Sequence, residues 1–277
     1  MKKLVYTALL MFCFCVSDIV TLNGMPLDKG GQIEFRKKDN IALPTYNWPR
    51  TLLAYPVEFE GGISGAGDLT LIDDHTAQPV PFQLSRKEMK DGRIISADVN
   101  FFASLPSGGD YSYTLKRQAS ELIRSDNPVI TMTGGERITV VNGILKVELP
   151  VSAAVNASEA PAMSVAKGGT GGVESNNSVR SDAYKIMSVT TSELENGDLF
   201  ALYQVEYRFE NGGKYLQNIK VVSGYPFVIL DEDINGVAKA DGVRMNMAWK
   251  DFKPAYRYPL QWDRNFDSRF PWYKIDE

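Results

Sequence analysis

The chain has 277 residues, of which 44% are hydrophobic and 11% aromatic, and it carries a net charge of −4 with a single histidine. This composition is typical of a protein that buries a substantial core, as one large or two modest domains. The acidic balance provides no broad basic field, which disfavours binding to nucleic acid or to an anionic membrane surface. The single histidine excludes a metal site built from several histidines.

The N-terminus has the pattern of a secretory signal. A basic start precedes an apolar run over residues 4–16, and small residues precede a cut before Asp18. We expect residues 1–17 to be removed together with both cysteines, Cys13 and Cys15, leaving a periplasmic or extracellular protein without disulfides. A lipoprotein anchored through Cys15 is the disfavoured alternative, because bulky residues precede that cysteine. No later segment is apolar for long enough to insert into a membrane.

The next part of the sequence alternates apolar and polar residues with period two, which predicts strands with one buried face. The alternation is clear over residues 53–59 and clearest over 95–105, where polar residues occupy the opposite face and Phe102 is the one exception. A Pro-Ser-Gly-Gly-Asp turn at 106–110 predicts a hairpin to the following strand. These elements predict a small β-barrel domain over residues 46–118.

A second β unit follows a linker over residues 119–135, whose first part contains the best helix formers of the chain. The Asn-Gly dipeptide at 142–143 lies between apolar alternations and predicts a two-residue hairpin turn, in which Val141 would pair with Ile144. Alternation over 199–209 predicts one long strand with a buried face. The unit is therefore predicted to be an antiparallel sandwich.

The remaining segments complete a prediction of an all-β chain with little helix. Residues 18–45 are assigned to an N-terminal extension and residues 136–277 to the β-sandwich. Within the sandwich, residues 152–182 are rich in Ser, Ala, Gly and Asn and are predicted to form a flexible loop. Residues 249–277 form an aromatic tail without alternation.

Few motifs suggest cofactor or metal chemistry. His75 lies in an Asp-Asp-His turn, and a solvated turn residue is favoured over a Ser-His-Asp site because no nucleophile pattern accompanies it. The Gly-rich run at 168–172 lacks the Lys-Ser/Thr ending of a phosphate loop. Asp231, Asp233 and Asn235 resemble part of a calcium loop, but the distal glutamate is missing, so a solvated strand end is favoured over a calcium site. No other cofactor is predicted.

The aromatic tail offers a candidate carbohydrate site. Sugars present apolar faces ringed by hydroxyls, so a site for them needs flat aromatic side chains beside carboxylates or guanidiniums. A simple covering role at one end of the sandwich is the favoured alternative. No catalytic residue can be chosen, because 34 acidic residues offer many carboxylate pairs. The candidate carbohydrate-binding residues are Trp249, Tyr256, Tyr258, Trp262, Asp263, Arg264 and Trp272.

The sequences of several strands and turns resemble those of large secreted polysaccharide-processing proteins of the exo-rhamnogalacturonan lyase-like group. The stretches YNWPRTLL at 46–53, PVPFQL at 79–84 and FFASLPSGGDYSYTL at 101–115 look like their N-terminal rift-barrel domain. Residues 138–150 with 199–233 look like the start of the β-sandwich that follows. The resemblance implies a rift-type β-barrel followed by a sandwich, here short for its kind.

In that group a helical toroid follows the two β domains and shapes the substrate cleft with the sandwich. This sequence has no helix-rich region, so no catalytic residue of the group can be matched to a position here. The leading hypothesis is therefore an exported β module of a carbohydrate-active system that supports or binds polysaccharide and is not catalytic alone. The alternatives are a truncated polysaccharide lyase or glycoside hydrolase that lacks its helical domain, and a structural envelope or adhesion protein.

Overall fold

The regular structure is almost entirely β, as the sequence predicts. Within the residues that the computed structural model describes, the one helical element is a single 3-10 turn at Ala66–Asp68, and twenty-two strands form the rest. No helix in the described part of the chain is long and apolar enough to cross a membrane. The described residues are 24–38, 48–105, 107–119, 121–168, 175–237, 242–249, 256–257 and 273–274.

The first part of the chain folds into two four-stranded sheets, which we call the N-terminal unit. One sheet has the strand order β1-β3-β7-β6 and the other β2-β8-β4-β5, and every pairing is antiparallel except β1 with β3. The strands are β1 (Met25–Leu27), β2 (Gln32–Lys38), β3 (Trp48–Ile63), β4 (Thr70–Asp73), β5 (Gln78–Pro79), β6 (Phe82–Lys90), β7 (Arg93–Leu105) and β8 (Asp110–Lys116).

The two sheets of the N-terminal unit enclose one hydrophobic core. The Phe35 ring, from one sheet, stacks on Tyr55 and Phe101 of the other sheet with centroid distances of 4.6 and 5.6 Å. No closed barrel forms among the described strands, so the predicted small barrel is instead a pair of facing sheets. Both β1 and β2 lie in the predicted N-terminal extension, and the unit therefore begins before residue 46.

The hairpin predicted across residues 106–110 is wrong. Strand β7 pairs with β3 and β6, whereas β8 lies in the opposite sheet between β2 and β4. Both strands direct an apolar face at the same core, with Phe101 on one side and Tyr113 on the other, at a centroid distance of 4.8 Å. A turn that crosses from one sheet to the other produces the same local alternation as a hairpin turn.

The second part of the chain, which we call the C-terminal unit, has three sheets around its own core. Their strand orders are β14-β11-β10-β9, β12-β16-β17-β18-β19 and β13-β15-β20. The strands are β9 (Ile130–Gly134), β10 (Arg137–Val141), β11 (Leu145–Pro150), β12 (Ala153–Ala157), β13 (Glu159–Pro161), β14 (Ser164–Lys167), β15 (Ser175–Arg180), β16 (Ile186–Asn196), β17 (Phe200–Phe209), β18 (Lys214–Val222), β19 (Val228–Asn235), β20 (Arg244–Trp249), β21 (Tyr256–Arg257) and β22 (Tyr273–Lys274), the last two forming a separate ladder.

The central strand of this unit follows the predicted period. Along β17 every second side chain is buried, and the tyrosine hydroxyl groups that enter the core have hydrogen-bond partners. Tyr207 donates to the carbonyl oxygen of Pro161 at 3.0 Å, and Tyr203 donates to Glu193 Oε2 at 2.7 Å. Burial raises the pKa of Tyr203 to about 12 and also raises the pKa of Tyr207, so both side chains serve as neutral core residues.

Two segments differ from their predicted character. The linker at 119–135 contains β9, and its helix formers adopt no helix among the described residues. The stretch 152–182, predicted to be a flexible loop, contributes in its described part strands β12 to β15, each of which pairs antiparallel with a neighbouring strand. Apolar residues of this stretch, among them Ala162, Met163 and Val179, are buried in the core of the C-terminal unit.

The turn at Asn142 and Gly143 has a different register from the predicted one. Val141 pairs with Lys146 rather than with Ile144, so the loop is longer by two residues. Asn142 causes this, because its Oδ1 accepts the backbone N–H groups of Ile144 and Leu145 at 3.0 and 2.7 Å. A shift of two residues keeps the predicted face inward, and the apolar residues of both strands still reach the core.

Candidate functional site at the junction of the two units

A polar stripe on the outer face of the N-terminal unit is buried under the C-terminal unit. The stripe consists of two cross-strand pairs, Gln83 with Asn100 and Ser85 with Asp98, and all four residues are at most 8% exposed. Asn100 holds the stripe together, because its Nδ2 lies 2.8 Å from Ser85 Oγ and 3.1 Å from the Gln83 carbonyl oxygen. Buried polar groups need such partners.

Phe102, the exception to the predicted alternation, lies on this same outer face. Together with Leu52 it packs against a small apolar cluster of the C-terminal unit that contains Leu199 and Phe200. The guanidinium carbon of Arg50 lies 3.5 Å from the centroid of the Phe102 ring. The apparent break in the pattern is therefore an interface residue rather than a misplaced core residue.

Gln83 joins the two units by hydrogen bonds to backbone groups. Its Oε1 accepts the N–H groups of Leu199 and Phe200 at 3.0 and 3.1 Å, and its Nε2 donates to the Phe200 carbonyl oxygen at 3.0 Å. The approach is close at Gly197, where a Cβ atom would come within 2.5 Å of the Gln83 side chain. The Gln83 amide thus pairs with the backbone at the start of β17 as the peptide group of a neighbouring strand would.

Arg86 directly follows Ser85 of the polar stripe, in a β-bulge of β6. Its φ of +48° places a non-glycine residue in the left-handed region, a strained conformation that is concentrated at functional sites. The guanidinium forms an ion pair with Asp98, whose side chain is 9% exposed while that of Arg86 is 76% exposed. The bulge therefore turns Arg86 back over the outer face of the sheet, above a buried carboxylate.

A groove of about 530 Å³ opens beside this ion pair. Its polar lining comes from Glu58, Arg86, Ser96 and Asp98, and Pro56 contributes apolar surface. The volume lies in the range of small-ligand sites, about 300–1,000 Å³. A carboxylate, a guanidinium and a hydroxyl beside an apolar patch can bind a ligand that carries several hydroxyl groups on an apolar ring.

Lys220 extends the charged group from the side of the C-terminal unit. Its ammonium lies 4.0 Å from the centroid of the Phe200 ring. Burial lowers the pKa of Lys220, and the attraction of Asp98 opposes that effect. Arg86 and Lys220 together with Asp98 thus form a mixed-charge group shared by the two units.

The candidate carbohydrate-binding residues of the aromatic tail are not assembled into a site by the described structure. The backbone of Trp249 belongs to β20, opposite Ser175, and the backbone of Tyr256 belongs to β21, opposite Lys274. Their side chains lie outside the described part of the structure. The same is true of Tyr258, Trp262, Asp263, Arg264 and Trp272 in their entirety, and the prediction for these residues stays a prediction.

The calcium candidate residues lie on β19, and the calcium alternative stays a prediction. Asp231, Asp233 and Asn235 occupy alternate positions along this strand, opposite Asn218, Leu216 and Lys214 respectively. Within the described residues there is no group of three or more His, Cys, Asp or Glu side chains that could hold a metal ion.

His75 has the surroundings of a turn residue. It is exposed, and its backbone N–H donates to Asp73 Oδ1 at 2.9 Å. Its ring lies 5.3 Å from that of Tyr111. The favoured interpretation of a solvated turn residue fits these contacts.

A second polar cluster lies inside the C-terminal unit, at one end of its core. The Tyr215 hydroxyl donates to Glu232 Oε1, and Gln217 Nε2 donates to that hydroxyl at 2.9 Å. Gln217 is fully buried, and its Oε1 has no hydrogen-bond partner among the described residues. Burial raises the pKa of the partly exposed Glu232.

Replacement of Glu232 by glutamine is expected to remove a pH dependence of stability. The folded chain binds a proton at Glu232 more tightly than the unfolded chain, so this stabilisation is present below about pH 4.5 and is lost as the pH rises through the raised pKa. The urea midpoint of Glu232→Gln minus that of the wild type should therefore increase as the pH rises from about 4.5 to 7. A difference that stays constant with pH would contradict this, and Glu136→Gln, at an exposed turn, is the control.

The junction residues were not singled out by the sequence. Asp98 and Asn100 appear there as ordinary polar residues on the solvent face of an alternating strand, and Arg86 follows a strand with no motif around it. The one local signal was Phe102, a large apolar residue on that polar face. Such a residue indicates that the face is covered.

No protein-family model matches the chain, and no curated protein matches it. The resemblance to exo-rhamnogalacturonan lyase-like proteins therefore stays a prediction.

Proposed function

We propose that this chain is an exported β module, periplasmic or extracellular, that binds polysaccharide in the junction groove without being catalytic on its own. The observation that carries the proposal is the ion pair of Arg86 with the buried Asp98 at a strained backbone position in the groove wall. Surroundings maintain such strain at a cost to stability, which favours a role for the guanidinium beyond packing.

The chemistry of the groove suits a sugar ring. Asp98 binds the Nε and Nη2 side of Arg86, which leaves the largely exposed guanidinium able to donate to a ligand hydroxyl. The exposed Glu58 carboxylate and the Ser96 hydroxyl add acceptors. Because Asp98 already neutralises Arg86, these groups favour neutral sugars over uronates.

The test is retention of the purified chain in native gels that contain single polysaccharides. The panel comprises neutral galactan, arabinan, xyloglucan and starch, with polygalacturonate and rhamnogalacturonan as acidic members. Retardation by a neutral member is expected, and Arg86→Ala should weaken its affinity at least about tenfold, the effect of one lost charged hydrogen bond. Arg36→Ala is the matched control, because Arg36 forms an exposed pair with Asp110 on the other sheet at 2.8 Å.

Three results would count against the proposal. Retention by no member of the panel would remove the binding role. Retention that is equally strong for Arg86→Ala and the wild type would place the site elsewhere, for which the aromatic tail is the remaining candidate. New reducing or unsaturated chain ends after incubation would favour the alternative of a polysaccharide-cleaving enzyme.

A further inference from the structure

Two β-bulges, one in each unit, meet at the junction. In β6 the register with β7 shifts between Ser85 and Glu88, and in β16 the register with β17 shifts between Glu193 and Glu195. The second bulge brings the Glu195 carboxylate against the first, where its Oε1 accepts the backbone N–H of Arg86 at 2.6 Å. The contact joins residues 109 positions apart in the sequence.

The bulge in β6 leaves Arg86 in need of support. A residue in a bulge lacks the regular hydrogen bonds of the ladder. An arginine whose backbone lies in the left-handed region keeps that conformation only where neighbouring contacts stabilise it. The N-terminal unit supplies one support through the Asp98 carboxylate, which binds the guanidinium. Glu195 supplies the other at the backbone, and a carboxylate is the stronger type of acceptor for an N–H group.

The strand that carries Arg86 is also fixed on its other side. Three residues earlier, Gln83 is bound by the backbone of Leu199 and Phe200. The C-terminal unit thus holds β6 at two points, Gln83 within the polar stripe and Arg86 directly after it. Neither of these contacts can form within the N-terminal unit alone.

We propose that Glu195 is a positioning residue, through which the C-terminal unit fixes the backbone of Arg86 so that its guanidinium stays over Asp98 at the wall of the groove. The groove is then a site built by both units, although its lining residues belong to the N-terminal unit. The consequence for ligand affinity rests on the proposed function, whereas the effect on Arg86 itself does not.

The first measurement needs no ligand. Amide hydrogen exchange of Arg86 in the full chain is followed by NMR for the wild type, Glu195→Ala and Glu195→Gln. Removal of the acceptor should speed exchange at Arg86 at least about tenfold, and glutamine, whose amide oxygen still accepts, should restore most of the protection. The matched control is Glu210→Ala, because Glu210 Oε1 also accepts a backbone N–H, that of Lys185 at 3.1 Å, from an exposed position.

The second measurement asks whether Glu195 acts through Arg86. Affinity is measured for galactan, or for the panel polysaccharide that the wild type retains most strongly. Glu195→Ala should weaken this affinity severalfold in the wild-type background and leave it unchanged in the Arg86→Ala background. Further weakening in the Arg86→Ala background would show that Glu195 contacts the ligand itself and would overturn the positioning role.

The two proposals can fail separately. An Arg86 amide that exchanges equally fast in the wild type and in Glu195→Ala overturns the positioning role, whatever the polysaccharide result. Retention by no polysaccharide overturns the proposed function, and the exchange result still decides the role of Glu195. Thermal unfolding of each variant verifies that the fold is retained.

Discussion

Replacement of Asn142 by alanine is expected to lower the free energy of unfolding by about 3–5 kcal/mol. Asn142 is fully buried, and its Nδ2 donates to the carbonyl oxygens of Val222 and Tyr225 at 2.7 and 2.9 Å. Its Oδ1 accepts two further N–H groups in its own turn. Alanine removes all four hydrogen bonds. The Val222 carbonyl oxygen keeps the Tyr225 N–H at 3.1 Å, whereas the partly buried Tyr225 carbonyl and the N–H groups of Ile144 and Leu145 lose their Asn142 partner, at about 1–3 kcal/mol each.

The measurement for Asn142 is the urea midpoint at constant slope. The matched control is Asn211→Ala, because Asn211 also precedes a glycine in a turn and bonds Gly213 and Gly236, but from an exposed position. A loss below about 1 kcal/mol is expected there. Asn142→Asp keeps the acceptor and removes both donated bonds, so it should be at least as damaging as alanine at neutral pH. Equal small losses for all three variants would show that the Asn142 bonds contribute little.

Replacement of Gln83 by alanine is expected to cost about 2–4 kcal/mol and to uncouple the two units. The substitution leaves the N–H groups of Leu199 and Phe200 without their acceptor at a buried position. It also opens a space beside Gly197, which closely approaches the glutamine side chain. Because the Gln83 side chain makes its hydrogen bonds across the junction, the variant should unfold in two separated steps in urea where the wild type unfolds in one.

The control for Gln83 is Gln204→Ala, which removes a half-exposed amide bond to Asn218 at 3.0 Å within a single sheet. It should cost less than about 1 kcal/mol and leave one transition. The two steps can be assigned by following fluorescence together with amide exchange in each unit. A Gln83→Ala chain that unfolds in one step at the wild-type midpoint would show that the apolar cluster around Phe102 alone holds the units together.

The faces of the strands could be predicted from the sequence, because alternation is a local property. The long strand of residues 199–209 buries every predicted side chain, and the predicted inward face of 53–59 contributes to the first core. Which strands pair with each other could be predicted less well from the sequence. A turn at 106–110 gives the same local pattern whether the next strand pairs with the first or crosses to the opposite sheet, and only tertiary packing decides between them.

The junction site was beyond prediction for a related reason. Period-two alternation identifies Asp98 and Asn100 as the polar face of a strand, but not that a second unit covers this face. The left-handed conformation of Arg86 has no sequence signal, because such positions usually carry glycine. Glu195 lies 109 residues from Arg86 along the chain, and no local pattern links the two.

The polar character of the buried stripe also bears on the order in which the chain is made. The N-terminal unit is synthesised first, and domains generally fold in that order. Until the C-terminal unit follows, the surface formed by Gln83, Ser85, Asp98 and Asn100 can be hydrated like any ordinary protein exterior, beside Leu52 and Phe102, the apolar side chains that the Leu199 and Phe200 cluster later contacts. A polar surface of this kind protects the N-terminal unit against association with other chains before the C-terminal unit is made. Hydrogen-bond geometry then contributes to recognition of the C-terminal unit more than non-specific apolar contact does.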